Sequence, residues 1–371
     1  MKNTFGHHIT YTLFGESHGE AIGIVIDGLP SGIKINQELM QMQMDKRKPK
    51  GKISTQRHEE DKVEFISGYF NNHTTGSPLT IQIKNNNTKS SDYEAIRYRV
   101  RPAHVDYTAD EKYHGFQDYR GGGHFSGRLT APIVAAGSIA LQLLNTLGIE
   151  IGTHIKQCKD IKDDNFSNDE GQLLNEIKLV NQKDFALLNE TYHKEMIDLI
   201  EDAAKNHDSV GGILESAILN LPTGIGEPFF DSIESTLSHL LFSIPAIKGV
   251  EFGLGFDFAN KYGSEVNDPF YYDGKVKTRT NNNGGINGGI SNGMPIIIRT
   301  VVKPTPSIYK PQETIHLKTH ESEVLEINGR HDPAILHRAR VVVDSVLAIG
   351  ILDLILERNA CESINFKEET L

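Results

Sequence analysis

Leu129-Thr-Ala-Pro-Ile-Val-Ala-Ala-Gly-Ser-Ile-Ala-Leu-Gln-Leu-Leu-Asn-Thr-Leu-Gly-Ile149 is the longest stretch of the chain without a charged side chain. It is nominally long enough to cross a bilayer. However, Pro132, Gly137, Ser138, Gln142, Asn145 and Thr146 interrupt it, and Ser138, Gln142 and Asn145 recur at helical spacing as one narrow polar stripe. The pattern predicts a helix over residues 132–147, apolar nearly all round, which must be buried on more than one side. A second mostly apolar helix is expected over about 334–357, and another over 233–242. Strand-like runs lie on either side: Thr10-Tyr-Thr-Leu-Phe14, Gly23-Ile-Val-Ile-Asp27, Leu79-Thr-Ile-Gln-Ile-Lys84, and later residues 213–221 and 295–302. Turn signals such as Gly28-Leu-Pro-Ser-Gly32 and Asn85-Asn-Asn-Thr88 punctuate the first three. Strand-rich halves around helices too apolar for a surface point to an α+β fold with helices buried between sheets. The βαβ rhythm and the P-loop are missing, and Gly253-Leu-Gly255 is too isolated a pair for a dinucleotide fingerprint.

With 38% hydrophobic and 23% charged residues, the 371-residue chain reads as soluble and globular. We expect one domain over 1–371, with a lysine- and acid-rich peripheral excursion at about 155–206 that has helical patches, notably over 194–205. The N-terminal residues carry no apolar signal-peptide core, and Cys158 and Cys361 make neither a disulfide framework nor a zinc cluster. The expectation is a cytoplasmic protein with no membrane span and no metal. A net charge of −11 argues against nucleic acid as a partner. Yet Lys46, Arg47, Lys48, Lys50, Lys52 and Arg57 fill half of positions 46–57. Alone, that run reads equally well as a solvated basic loop. In an acidic protein it also suits a pocket for a small polyanion, because the local field focuses such a ligand whatever the net charge.

Directly before the apolar stretch stands Arg120-Gly-Gly-Gly-His-Phe-Ser-Gly-Arg128. Gly121, Gly122 and Gly123 lack Cβ atoms, so they can take positive φ and bring backbone N–H groups close to an anion. The flanking arginines add planar donors that match carboxylate or phosphate oxygens in pairs. Four further clusters combine cations with proton-handling groups: Gly15-Glu-Ser-His-Gly19, Arg101-Pro-Ala-His-Val-Asp-Tyr107, Lys303-Pro-Thr-Pro-Ser307 and Gly329-Arg-His-Asp-Pro333. Histidine is the side chain best poised for proton transfer near neutral pH. Among 16 histidines some must be structural. Ser17 and His18 are not expected to form a nucleophile–base pair, because sequence neighbours rarely face each other and no nucleophile elbow accompanies them. Asn281-Asn-Asn-Gly-Gly-Ile-Asn-Gly-Gly-Ile-Ser-Asn-Gly293 would pass for disorder alone, but between strands it reads as an ordered ligand loop. Five such loops near element ends make an enzyme a better reading than a binding module.

These motifs, in this order, resemble the chorismate synthase family. Phe14-Gly-Glu-Ser-His-Gly19 resembles its first signature. Thr55-Gln-Arg57, Thr74-Thr-Gly76, the Arg101 motif, Asp118-Tyr-Arg-Gly-Gly-Gly123, Asp208-Ser-Val-Gly-Gly212, Gly288-Gly-Ile-Ser-Asn-Gly293, the Lys303 motif and the Gly329 motif follow. The resemblance runs from Thr4 to about Glu357 and is weakest over 155–206. It implies a β-α-β sandwich, with central helices between two antiparallel sheets, assembled as a homotetramer. It also implies a lyase that eliminates phosphate in trans-1,4 fashion from 5-enolpyruvylshikimate-3-phosphate, giving chorismate. Reduced FMN is required without net redox change, so an external flavin reductase is an expected partner. By resemblance, His18 is the acid toward the departing phosphate, His104 manages a proton on the flavin, and Asp332 helps the flavin act as base. Arg47, Arg101, Arg128 and Arg330 bind substrate anions, with Lys52 a weaker candidate. FMN contacts fall on His124, Phe125, Ser126, Ala246, Gly288, Lys303, Pro304, Thr305, Pro306, Ser307 and Arg330.

The chain departs from the family pattern at three places. His124-Phe-Ser-Gly-Arg128 stands where many members have Arg-Ser-Ser-Ala-Arg. Lys46-Arg47-Lys48-Pro49-Lys50 replaces a run richer in arginine, and lysine lacks the bidentate fork. Pro245 replaces an asparagine and removes both a side-chain amide and a backbone donor. Two rival readings remain open on the residues: a flavin-reducing or bifunctional enzyme that uses NADPH, and a non-catalytic phosphometabolite-binding protein.

Overall fold

The structure, a computed structural model, describes residues 2–51, 53–54, 60–86, 97–327 and 331–362, with side chains through 360. Lys52, the Thr55-Gln-Arg57 motif, Gly329 and Arg330 lie outside the described residues, as does the side chain of Cys361.

Alternation of apolar and polar residues builds the first sheet. Its strands are β1 (Thr4–Phe5), β2 (Thr10–Gly15), β3 (Ala21–Asp27), β4 (Val63–Ser67) and β5 (Leu79–Lys84). They pair antiparallel in the order β1-β2-β3-β5-β4. Ile22, Ile24 and Ile26 of β3 and Leu79, Ile81 and Ile83 of β5 all point to one face and are buried. The second antiparallel sheet holds β6 (Glu150–Cys158), β7 (Ile161–Lys162), β8 (Gly212–Leu219), β9 (Ile247–Phe252) and β10 (Ile296–Val302). Its order is β9-β10-β8-β6-β7. In β8 the run Leu214 to Leu219 is buried on both faces, so this sheet has cover on each side.

The longer helices are α1 (Gln37–Arg47), α2 (Asp106–Tyr113), α3 (Thr130–Thr146), α4 (Glu170–Gln182), α5 (His193–Lys205), α6 (Ile233–Ser243) and α7 (Leu336–Glu362). Helix α3 lies on β3 and β5, α7 lies on β6 and β8, and the two pack on each other. The fold is therefore the expected β-α-β sandwich. By composition, Gly127–Thr146 would suit a membrane span, but 72% of it is buried inside the protein. The polar stripe is used within the molecule: Gln142 accepts from the Asn36 N–H at 2.8 Å and donates to the Lys34 carbonyl at 2.6 Å, which anchors the start of α1. At the crossing of α3 and α7, a Cβ on Gly137 would lie 2.3 Å from Ser345 Cβ and 2.6 Å from Ser345 Cα. Only glycine permits that approach.

Residues 155–206 do more than decorate the edge. Ile155 to Cys158 belong to β6. Helix α4 then covers the outer face of the second sheet, where Leu173, Ile177 and Val180 join Phe166, Ala186, Ala217 and Leu219 in a separate apolar cluster. His154, fully buried, pins this segment down: Nδ1 meets Asp163 at 3.0 Å and Nε2 meets Glu215 at 3.1 Å. Asp163 also accepts from the Leu188 and Asn189 N–H groups.

Helices α1, α2 and α4 escape the periodicity reading. Helix α1 buries Met40 and Met44, one turn apart, while Met42 between them is exposed, and α2 is short and polar. Side-chain caps mark the starts of α1 and α4: Asn36 accepts from Leu39 N–H, and Asp169 from Gln172 N–H. The 281–293 segment is an ordered loop carrying the short pair Ile286–Asn287 and Ile290–Ser291. Asp268 holds it through the N–H groups of Asn282 and Asn283.

Candidate active site

The triple glycine organises the site. Gly121, Gly122 and Gly123 all have positive φ, at 58°, 83° and 53°. Each is packed against a different neighbour. A Cβ on Gly121 would fall 2.2 Å from His18 Cε1, one on Gly122 would sit 3.4 Å from His104 Cε1, and one on Gly123 would strike the Asp118 carbonyl oxygen at 2.0 Å. The histidines of two distant motifs therefore lie against successive glycines of a third. The loop then runs through Ser126, whose Oγ accepts from the Arg128 N–H at 3.3 Å, into the first turn of α3.

His18 sits in the turn after β2 and is 7% exposed. Its Nδ1 lies 3.1 Å from Ser17 Oγ, so these sequence neighbours do face each other, contrary to expectation. The tight turn brings them together while Ser17 Oγ also reaches the carbonyls of Arg120 and Gly121, each at 3.2 Å. His124 Nδ1 donates to the Gly15 carbonyl at 2.7 Å, tying the glycine loop to the turn that carries His18.

His104 precedes α2, and its Nδ1 is 2.8 Å from Asp106 Oδ1. The same carboxylate takes two bonds from the Arg101 guanidinium, at 2.8 and 2.7 Å, and one from its N–H. Burial alone would raise the Asp106 carboxyl, but hydrogen bonds from Arg101 and His104 and the Arg101 charge outweigh it and hold it well below the usual range. An ionised Asp106 fixes the His104 proton on Nδ1 and leaves Nε2 facing the site. Opposing burial in the same way, Arg47 and Arg128 keep Asp61 ionised and Arg120 keeps Asp118 ionised.

Carboxylates with depressed folded pKa values stabilise the fold above about pH 4, and that stability drains as pH falls through the folded values. Asp106→Asn is therefore expected to flatten the acid-side loss of melting temperature below about pH 4. Thermal scans from pH 7 down to acid unfolding would check this; slopes identical to the parent protein would remove Asp106 from the acid response.

The cationic residues converge from four elements. Arg47, in the last turn of α1, and Arg128 both pair with Asp61, whose side chain is 0% exposed. Arg128 Nε also donates to Asn85 Oδ1 at 3.0 Å. Arg338, one turn into α7, donates from Nε to the Arg47 carbonyl at 2.9 Å and pairs through Nη1 with Asp332. Lys46 and Arg47 are thus buried at a helix end rather than on a solvated loop. Lys303 Nζ donates to the Ala103 carbonyl at 2.6 Å, and its N–H to the carbonyl of Ala246, a residue with φ of 76°. That bond brings the 303–307 loop onto the His104 motif. Ser209 Oγ donates to the Thr305 carbonyl at 2.7 Å, while Thr305 Oγ1 is buried without a hydrogen-bond partner among the described residues. Ser307 is buried, whereas Phe125 is exposed with its ring 5.9 Å from Tyr113. Gly288 has φ of 63° and open space where a Cβ would point. Next to Asp332, His331 is held below its ordinary pKa by burial and by the nearby Arg101 and His104. Sequence reading missed Asp61 and Arg338, because an acid in a run of charged residues and an arginine one turn into a helix carry no local signal.

Two histidines packed against one glycine loop, in a layered α+β fold that also buries Arg47, Arg101 and Arg128, form an arrangement suited to proton transfer on a small anion. The family profile of chorismate synthase matches residues 9–356. Chorismate synthases from Dehalococcoides mccartyi and Pyrococcus abyssi are each 46% identical, covering 96% of this chain and 97% and 98% of their own lengths. A crystal structure of chorismate synthase superposes with a TM-score of 0.75 at 26% identity, over 95% of this chain and 93% of the other. The chain belongs to the chorismate synthase family. It is a carbon–oxygen lyase of the final step of the shikimate pathway.

Proposed function

We propose that the site eliminates phosphate from 5-enolpyruvylshikimate-3-phosphate with reduced FMN as cofactor, and that its residues divide the work as follows. Arg47, Arg101 and Arg128, with Arg330 and Lys52, hold the phosphate and the two carboxylates of the substrate. His18 protonates the departing phosphate from Nε2. Ser17 Oγ steadies Nδ1. His104 exchanges its proton at Nε2, because Asp106 occupies Nδ1. Asp332, paired with Arg338, is the carboxylate on the proton-accepting side.

The residues assigned to FMN suit a phosphorylated, hydroxyl-rich group: His124, Phe125, Ser126, Ala246, Gly288, Lys303 to Ser307 and Arg330. Buried Thr305 Oγ1 has no partner among the described residues, Lys303 brings a cation, and Gly288 leaves room for close approach. Held by these residues, reduced flavin would supply reversible electron donation to the allylic system and a basic site for the ring proton. The observation that carries this reading is the placement of His18 and His104 against Gly121 and Gly122.

The test is phosphate release and chorismate absorbance under anaerobic conditions, with FMN reduced by dithionite and a parallel sample holding oxidised FMN. Turnover is expected only with reduced flavin. Turnover with both, or anion binding without turnover, would overturn the reading. NADPH in place of dithionite is expected to give none, since we assign flavin reduction to a separate reductase; turnover there would make the enzyme bifunctional. We also propose a cytoplasmic homotetramer. Phe229, Phe230, Phe256, Tyr262 and Tyr272 are each at least 77% exposed, as large aromatic side chains that a subunit contact would cover.

A further inference from the structure

Asp61 lies outside the motifs quoted above, yet its carboxylate lies between two of the arginines assigned to the substrate. Oδ2 pairs with Arg47 Nη2 and Oδ1 with Arg128 Nη1. All three side chains are nearly closed to solvent, at 0%, 4% and 6% exposure. They come from separate places: Arg47 ends α1, Arg128 precedes α3, and Asp61 lies just before β4 with a left-handed φ of 49°. Two guanidiniums this close and this dry repel strongly unless an anion sits between them. A planar carboxylate with one oxygen toward each arginine also sets the direction of both forks.

We propose that Asp61 is a positioning residue, which aligns Arg47 and Arg128 so that their other N–H groups converge on one anionic group of the substrate. The inference rests on the assignment of Arg47 and Arg128 to substrate binding. It would explain how an arginine on α1 and another before α3 share a task, though no backbone element joins them. Asn85 and the Lys84 carbonyl hold the far side of Arg128, Arg338 holds the carbonyl of Arg47, and Asp61 touches both guanidiniums.

The test is Asp61→Asn, assayed anaerobically with dithionite-reduced FMN. KM for 5-enolpyruvylshikimate-3-phosphate is expected to rise about ten- to hundred-fold, while kcat at saturation changes far less, because ground-state binding is what the alignment serves. Arg128→Ala and the double variant complete a cycle. If Asp61 acts through the arginines, Asp61→Asn adds little to KM in the Arg128→Ala background, whereas a merely structural Asp61 gives effects that multiply. Should Asp61→Asn not fold, Asp61→Glu keeps the charge but moves it by one methylene, and KM is still expected to rise several-fold.

Unchanged KM in the folded variant would overturn the proposal. A lowered KM would overturn it too, since it would mean that Asp61 competes with the substrate for the arginines. If Arg47→Ala and Arg128→Ala themselves leave KM unchanged, the substrate-site assignment fails instead, and the proposal falls with it.

Discussion

His18→Ala is expected to lower kcat by roughly 10²- to 10⁴-fold, the usual contribution of a positioned general acid. KM should stay near that of the parent enzyme, because the arginines that hold the anions come from other elements. The His18 ring lies against Gly121 where a Cβ would stand, so its removal opens a small space without disturbing the glycine backbone. The turn itself is held by the Ser17 N–H on the Gly123 carbonyl, at 3.1 Å, and by His124 on Gly15. Thermal stability should therefore change little. Steady-state kinetics with chemically reduced FMN, followed across pH, would check this: the limb of the kcat profile set by the acid should vanish in the variant. Parent-like turnover would take His18 out of the acid role.

Gly137→Val is expected to be the most damaging single change to the fold. The added side chain would meet Ser345 at the Cβ and Cα atoms, and Ser345 sits in the middle of α7, pressed against the second sheet. Flexible side-chain ends can retreat from such a clash, but the backbone of a buried helix cannot. Overpacking of a tight core costs about 1–3 kcal/mol, and backbone contact puts this site at the upper end or above it. Chemical denaturation read by far-UV circular dichroism would show the loss. A midpoint within error of the parent protein would mean that α3 and α7 can move apart.

The chain itself determined the class of the fold. A helix too apolar for any surface, flanked by alternating strands, has few stable solutions, and a helix layer between sheets is one of them. The glycine triplet was equally legible as a place where backbone must approach something closely. Its neighbours were not, because His18 and His104 reach it from segments that no local pattern connects. The sequence also determined the anionic character of the ligand, through the arginines in its motifs.

Tertiary structure alone decided which charge belongs with which. Asp61 between Arg47 and Arg128, Asp106 on His104 and Arg101, and Arg338 joining Asp332 to the end of α1 are pairings across the chain or within a turn. Each depends on burial, which turns a weak surface interaction into one that fixes geometry and protonation. Residues 155–206 make the same point for the fold. Their polar composition suggested an appendage, but α4 spends its few apolar residues on the outer face of the second sheet. A sparse stripe is enough there, because the sheet supplies the rest of the apolar surface.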